Sequence, residues 1–321
     1  MARYLDPKND LTFKRIFGEH EHLCKSLLNN MLPLEPSQQI VTLQYQQSEM
    51  VPEIPALKDS IVDVHCIDNT GRQFIVEMQM YWTDSFRSRV LFNASKAYIK
   101  QLDSAKEYKF LQPVYALSFV NEIFDRDTSD YYHDYKIVNI ANRNKQLEGL
   151  EFVFIELPKF RPGNRAEKKL YDLWLTFLTQ IKEGTEVIPP ELLEEEVTKE
   201  AVQYLESNSY TRGQLDAYDR YWDSIRTERM YYLDASDKGL REGLEKGLKR
   251  GLERGLEKGL KKGLEKGLEK GRAEGRAEGK AEGLRNVVIS GKRNGLSLEQ
   301  IQAITSLSKE KIAEILTSTD V

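Results

Sequence analysis

The chain has 321 residues, enough for about two domains with substantial cores, and its formal charge of -4 averages over unlike parts. Between Lys238 and Arg285, 15 Lys and Arg stand against 9 Glu, so the rest of the chain is acidic. Cys24 and Cys66 are its only cysteines and His20, His22, His65 and His133 lack zinc-site spacing, which argues against a disulfide framework or zinc module. MARYLDPKND has no apolar signal core and no long apolar run follows, so the expectation is a soluble cytoplasmic protein with no membrane segment.

In chain order, Asp10 opens a helix in which Leu11, Phe13, Ile16, Phe17, Leu23, Leu27 and Leu28 fall near helical spacing. A break near Gly18 and an end near Met31, before Pro33 and Pro36, are expected. The run from Ile40 to Val51 alternates as a strand does. Next comes KDSIVDVHCIDNTGRQFIVEMQMY, residues 58–81, where two strand-like runs flank Asn69-Thr70-Gly71. These three residues suit a hairpin loop with Gly71 in the left-handed conformation.

That loop sets Asp68 against Arg72, and stepping back places Asp63 opposite Glu77. Cross-strand side chains lie about 4.5–5.5 Å apart, and like charges so placed repel. A divalent metal shared by both carboxylates would neutralise them. Alternation puts Gln79 and Ile75 on the Glu77 face, with Val62, Val64, Phe74, Val76 and Met78 forming an apolar side. The competing reading is an edge hairpin with solvated carboxylates.

Thr83 to Asp103 reads as an amphipathic helix, with Phe86, Val90, Ala94, Ala97 and Leu102 on one side and Arg87, Arg89, Lys96 and Lys100 mostly elsewhere. Pro113 to Val120 is a short apolar run of the buried-strand type, and Tyr135–Ile140 and Phe152–Leu157 are further strands. From Arg165 to about Tyr232 the pattern is helical, interrupted at Pro189-Pro190.

Twelve glycines, Gly239 to Gly283, then recur at every fourth position, with Leu after each of the first eight. Each glycine disfavours a helix by about 1 kcal/mol relative to alanine. As a helix, four residues turn about 400°, so the Gly and Leu stripe drifts by about 40° per unit and favours right-handed coiling with a second copy. The alternative is a flexible charged tether. In the last segment, Ser297 and Ser308 are candidate caps of two short helices, either a helix-turn-helix or a plain packing unit.

DPKNDLTFKRIFG at 6–18, KDSIVDVHC at 58–66 and FIVEMQM at 74–80, in this order, resemble the PD-(D/E)XK nuclease superfamily. Within it, the chain resembles the Rpn recombination-promoting nucleases, often named transposases. The fold this implies is α/β: a restriction-endonuclease-like core (α-β-β-β-α-β, mixed sheet) followed by a helical region, a Gly-rich repeat arm and a small helical C-terminal unit. The domain expectation is nuclease at 1–160, helical region at 161–237, repeat arm at 238–285, helical or flexible, and helix-turn-helix-like tail at 286–321.

The resemblance also implies a metal-dependent DNA endonuclease acting in recombination, mobile-element transfer or defence against foreign DNA. Asp63, Glu77 and the Met78 carbonyl would hold the metal, most naturally Mg2+, and Gln79 would position a water. The general pattern has lysine at position 79; a neutral amide can orient water but cannot deprotonate it or supply positive charge. Lys58, Arg87 or Lys96 would supply that charge, and Asp10 and Lys14 would approach the cleft or else serve only helix capping and solvation. DNA is the expected partner, with self-association through the repeat arm. The alternative is a nuclease-derived DNA-binding or oligomerisation protein without catalysis.

Overall fold

The computed structural model describes residues 4–50, 60–102, 107–162 and 169–318. They divide into two compact units, Met1–Met230 and Tyr231–Val321. Unit one opens with α1 (Asp10–Phe13), capped by the Asn9 side chain accepting from Leu11 N–H. A π-helical turn, Lys14–Gly18, follows, then α2 (Glu21–Met31), so the expected break near Gly18 is present.

The strands are β1 (Leu43–Tyr45), β2 (Glu49–Met50), β3 (Ser60–Ile61), β4 (Val64–Asp68) and β5 (Gln73–Gln79), then β6 (Val114–Val120), β7 (Tyr132–Asn139) and β8 (Asn142–Glu156). Helix α3 (Asp84–Ile99) connects β5 to β6, a crossover of the kind parallel neighbours require. Among the described residues the main sheet has six strands in the order β1-β4-β5-β6-β8-β7, mixed because β5, β6 and β8 are parallel and the outer pairings antiparallel. β2 and β3 form a separate small pair.

The β4–β5 register has the predicted form: Val64 faces Val76 and Ile67 faces Gln73, while Asp68 N–H donates to the Arg72 carbonyl at 3.0 Å. Gly71 has φ +90°, as the three-residue loop requires.

Three expectations change. First, the Ile40–Val51 strand is two pieces. Carrying Tyr45↔Cys66 onward would pair Glu49 with Val62, yet Glu49 pairs with Ile61. One extra residue therefore sits on the Val62–Asp63 side, a bulge that turns the chain. Second, Val62 consequently leaves the apolar side assigned to it and packs in the cluster of Ile75, Phe86 and Val90. Third, β7 and β8 form one long hairpin through the polar segment 142–151, whose exposed residues show no apolar alternation.

Both sheet faces are covered. Val64, Phe74, Val76, Leu117, Phe119, Val153 and Ile155 pack with α1, the π turn, α2 and the later helices α4 (Lys169–Gln180) and α6 (Glu196–Gln203). Ile75, Ala116, Val120 and Phe154 pack under α3. Between the later helices, α5 (Pro190–Glu194) starts on Pro190, a residue suited to the first helical position.

Helix α7 (Arg212–Arg293) contains the glycine repeat, and the division between units falls within it. In unit two, Leu240 to Leu268 at every fourth position are 54–74% exposed. Helices α8 (Leu298–Thr305) and α9 (Lys309–Thr317) are capped by Ser297 and Ser308 as predicted, and Ile301, Ile312 and Leu316 pack on Val288. No helix among the described residues is long and apolar enough to cross a membrane.

Candidate active site

β5 lies between β4 and β6, so its side chains are buried on both faces and Glu77 is only 4% exposed. A carboxylate in that position needs polar partners. Helix α3 supplies two, one turn apart: Asn93 Nδ2 donates to Glu77 Oε1 at 3.1 Å, and Arg89 Nη2 stands 3.5 Å from Oε2. Burial raises the Glu77 pKa, and Arg89 and Asn93 oppose that rise.

Asp63 occupies the bulge just before β4. One further step of the β4–β5 register places it opposite Glu77, and its Oδ2 accepts the Met78 N–H at 2.7 Å. Its pKa is pushed up to about 7, first by burial, with the Glu77 and Asp10 carboxylates adding to the rise. The Met78 N–H and the Lys14 ammonium act in the other direction. Central placement removes the edge-hairpin reading: one carboxylate of the pair is buried, and each disfavours ionisation of the other.

The first motif reaches this place by anchoring elsewhere. Lys8 pairs with Asp6 at 2.8 Å and donates to the Leu178 carbonyl. Asp6 N–H donates to the Tyr218 hydroxyl, and Asn9 Nδ2 to the Tyr218 carbonyl. So held, α1 brings Asp10 and Lys14, ion-paired at 2.8 Å, within electrostatic reach of Asp63. Tyr221 on α7 shares this environment: burial raises its pKa, and Asp63 and Asp10 raise it further.

Gln79 is held at both ends. Its Nε2 donates to the Tyr81 carbonyl at 2.8 Å, and its Oε1 accepts from Arg89 Nη2 at 2.9 Å. Gln79, Tyr81, Thr83, Arg89, Phe92 and Glu228 line an open groove of about 960 Å³.

The supporting cations are distributed otherwise than the spacing suggested. Lys58 lies outside the described residues. Arg87 is exposed and 4.0 Å from Asp84, and the Lys96 ammonium is 5.8 Å from the centre of the Phe92 ring. Lys14 acts on Asp63, while the basic side chain against Glu77 is Arg89, accompanied by Asn93. Both follow from the phase of α3: 86, 90, 93, 94 and 97 are its buried positions, and 89 borders that stripe.

Among the described residues, no three His, Cys, Asp or Glu side chains converge as a metal cluster. Magnesium does not require one, since it keeps several waters and takes one or two carboxylates. The carboxylates of Asp63 and Glu77, with raised pKa values that a nearby dication would reverse, offer oxygen donors of the right hardness.

This mixed sheet flanked by helices is consistent with the restriction-endonuclease-like class, a nuclease-type core. The family model described as PD-(D/E)XK nuclease family transposase matches residues 7–234, and the chain belongs to that family. No curated protein and no solved structure matches the chain.

Proposed function

We propose that the protein is a metal-dependent DNA endonuclease, with Asp63 and Glu77 as the residues that hold the metal. The observation carrying this reading is the cross-strand carboxylate pair, half of it buried on a central strand and both members shifted toward the protonated form. Burying like charges side by side disfavours the fold, so a site that retains them is a functional candidate.

In this reading Asp63, Glu77 and the Met78 carbonyl would hold Mg2+, which when bound activates water and stabilises charge on phosphate oxygens. Gln79 Oε1, through the lone pair that Arg89 leaves open, would orient the attacking water. The water oxygen forms a new bond to phosphorus as one phosphorus–oxygen ester bond breaks; the water's proton passes to solvent and the departing sugar oxygen takes one from solvent. Asp10 and Lys14 set the electrostatics of Asp63. The setting is the cytoplasm, in recombination, mobile-element transfer or defence against foreign DNA, with residues 1–160 as the nuclease domain. Plasmid incubated with Mg2+ tests this: wild type cuts, and Asp63→Ala and Glu77→Ala do not. Equal cutting by all three removes the assignment.

Gln79, with its amide engaged at both ends, favours a second reading, DNA binding without cleavage. DNA retention with no metal-dependent cutting would select it. The repeat arm, with Leu240 to Leu268 exposed and open space over its glycines, is proposed to join a second copy, whose matching Glu and Lys units provide complementary charge. Light scattering before and after truncation at Asp237 tests this, since an unchanged mass excludes assembly through the arm.

A further inference from the structure

Phosphodiester hydrolysis builds negative charge on the phosphate, and two carboxylates with a neutral amide supply no side-chain cation to meet it beside the metal they would hold. Lys14 is already committed to Asp10 at 2.8 Å. The side chain that bridges the two strand residues is Arg89, whose Nη2 lies 2.9 Å from Gln79 Oε1 and 3.5 Å from Glu77 Oε2.

We propose that Arg89, reaching from α3, is the cation that engages the scissile phosphate, and that Gln79 is the acceptor that aims it. The inference rests on the nuclease reading above and assigns within it a role the strand itself leaves vacant.

Three observations set the geometry. Gln79 cannot turn freely, because its Nε2 is tied to the Tyr81 carbonyl, so its Oε1 faces the guanidinium. An arginine can only donate, which makes the amide oxygen its proper partner. The Phe86 ring, 5.1 Å from Arg89 Cζ, lies against the guanidinium and limits its swing. Finally, the Arg89 side chain is 50% exposed and lines the groove that also contains Gln79 and Phe92. Among the described residues, its bonds use Nη2 alone, so the Nε and Nη1 hydrogens remain as donors to phosphate oxygens.

This arrangement divides one residue's work between two. A lysine on β5 would carry charge on the strand; here the strand carries an acceptor and the helix carries the charge. The difference is testable by moving the charge back.

The experiment compares single-turnover plasmid cleavage in Mg2+ for wild type, Asp63→Ala, Arg89→Ala, Arg89→Lys, Gln79→Lys and the double variant Arg89→Ala/Gln79→Lys, each checked for an unchanged melting transition. Arg89→Ala is expected to lose about 100-fold in rate, the scale of removing one preorganised donor. The double variant is expected to regain about tenfold. In EDTA, where no cleavage occurs, the salt dependence of binding to a DNA duplex gives a second reading. Its slope is expected to fall by about 1 for Arg89→Ala and to stay unchanged for Arg89→Lys. Arg89→Ala cutting like wild type beside an inactive Asp63→Ala overturns the assignment and leaves the nuclease reading standing. So does a double variant no faster than Arg89→Ala, or an unchanged salt slope. Wild type that cuts no better than Asp63→Ala overturns both.

Discussion

The two ends of the β4–β5 hairpin carry charged pairs in the same cross-strand relation and with opposite consequences. At the turn, Asp68 faces Arg72 at 2.6 Å, and its Oδ1 also accepts from Thr70 N–H, Thr70 Oγ1 and Arg72 N–H. Every lone pair there finds a donor, so burial is compensated. At the open end, Asp63 faces Glu77, and like charges raise each other's proton affinity. One pair closes the fold, and the other works against it. The same two strands thus carry a pair that stabilises at one end and, beside the bulge, a pair that does not at the other, because the residue facing the aspartate is Arg in one case and Glu in the other.

The largest expected effect that sharpens this contrast is at the closed end. Asp68→Ala leaves buried Arg72 without its partner and is expected to destabilise by about 3–5 kcal/mol, measured by urea unfolding. Next comes pH: on the proposed reading Asp63 holds the metal in its ionised form, so at sub-saturating Mg2+ cleavage should fall as pH drops below about 7, and saturating Mg2+ should move that fall to lower pH. A rate independent of pH between 5 and 7 would break the link between Asp63 and the reaction.

The open end also predicts a stabilising substitution. The folded pKa of Asp63, about 7, exceeds its ordinary value, so the native state holds the extra proton between the two values and stability declines as pH rises through that window. Asp63→Asn should therefore stabilise the metal-free protein at pH 8 by about 2 kcal/mol, after discounting for solvent, and have no effect near pH 4. Calorimetry at both pH values measures it. The smallest effect is at the turn: Gly71→Ala should cost about 1 kcal/mol, because φ is +90° and a Cβ would meet Gln112 at 3.1 Å.

The hairpin was legible because three local signals agree: a loop of the right length, a glycine where φ is positive, and opposite charges facing at Asp68 and Arg72. Caps at Ser297 and Ser308 were legible for the same reason. The bulge at Asp63 was not, since it depends on how β2 and β3 pair beyond the hairpin. Arg89 was hidden among Arg87, Lys96 and Lys100, because composition does not show which rim of a helix faces a sheet. Asn93 carried a weak signal: a polar residue inside an otherwise apolar stripe. The 142–151 extension of β8 lacks any burial pattern and so had none.

The anchoring of residues 6–9 on Tyr218 has a consequence for synthesis. The ribosome releases Asp10 and Lys14 early, yet the tyrosine that fixes their neighbours is made more than 200 residues later. A nascent chain can pair β4 with β5 and pack Phe13 and Phe17 on them long before it can tie down residues 6–9. Any product that terminates before Tyr218 lacks this clasp, so residues 6–9 lose the tyrosine that ties them down.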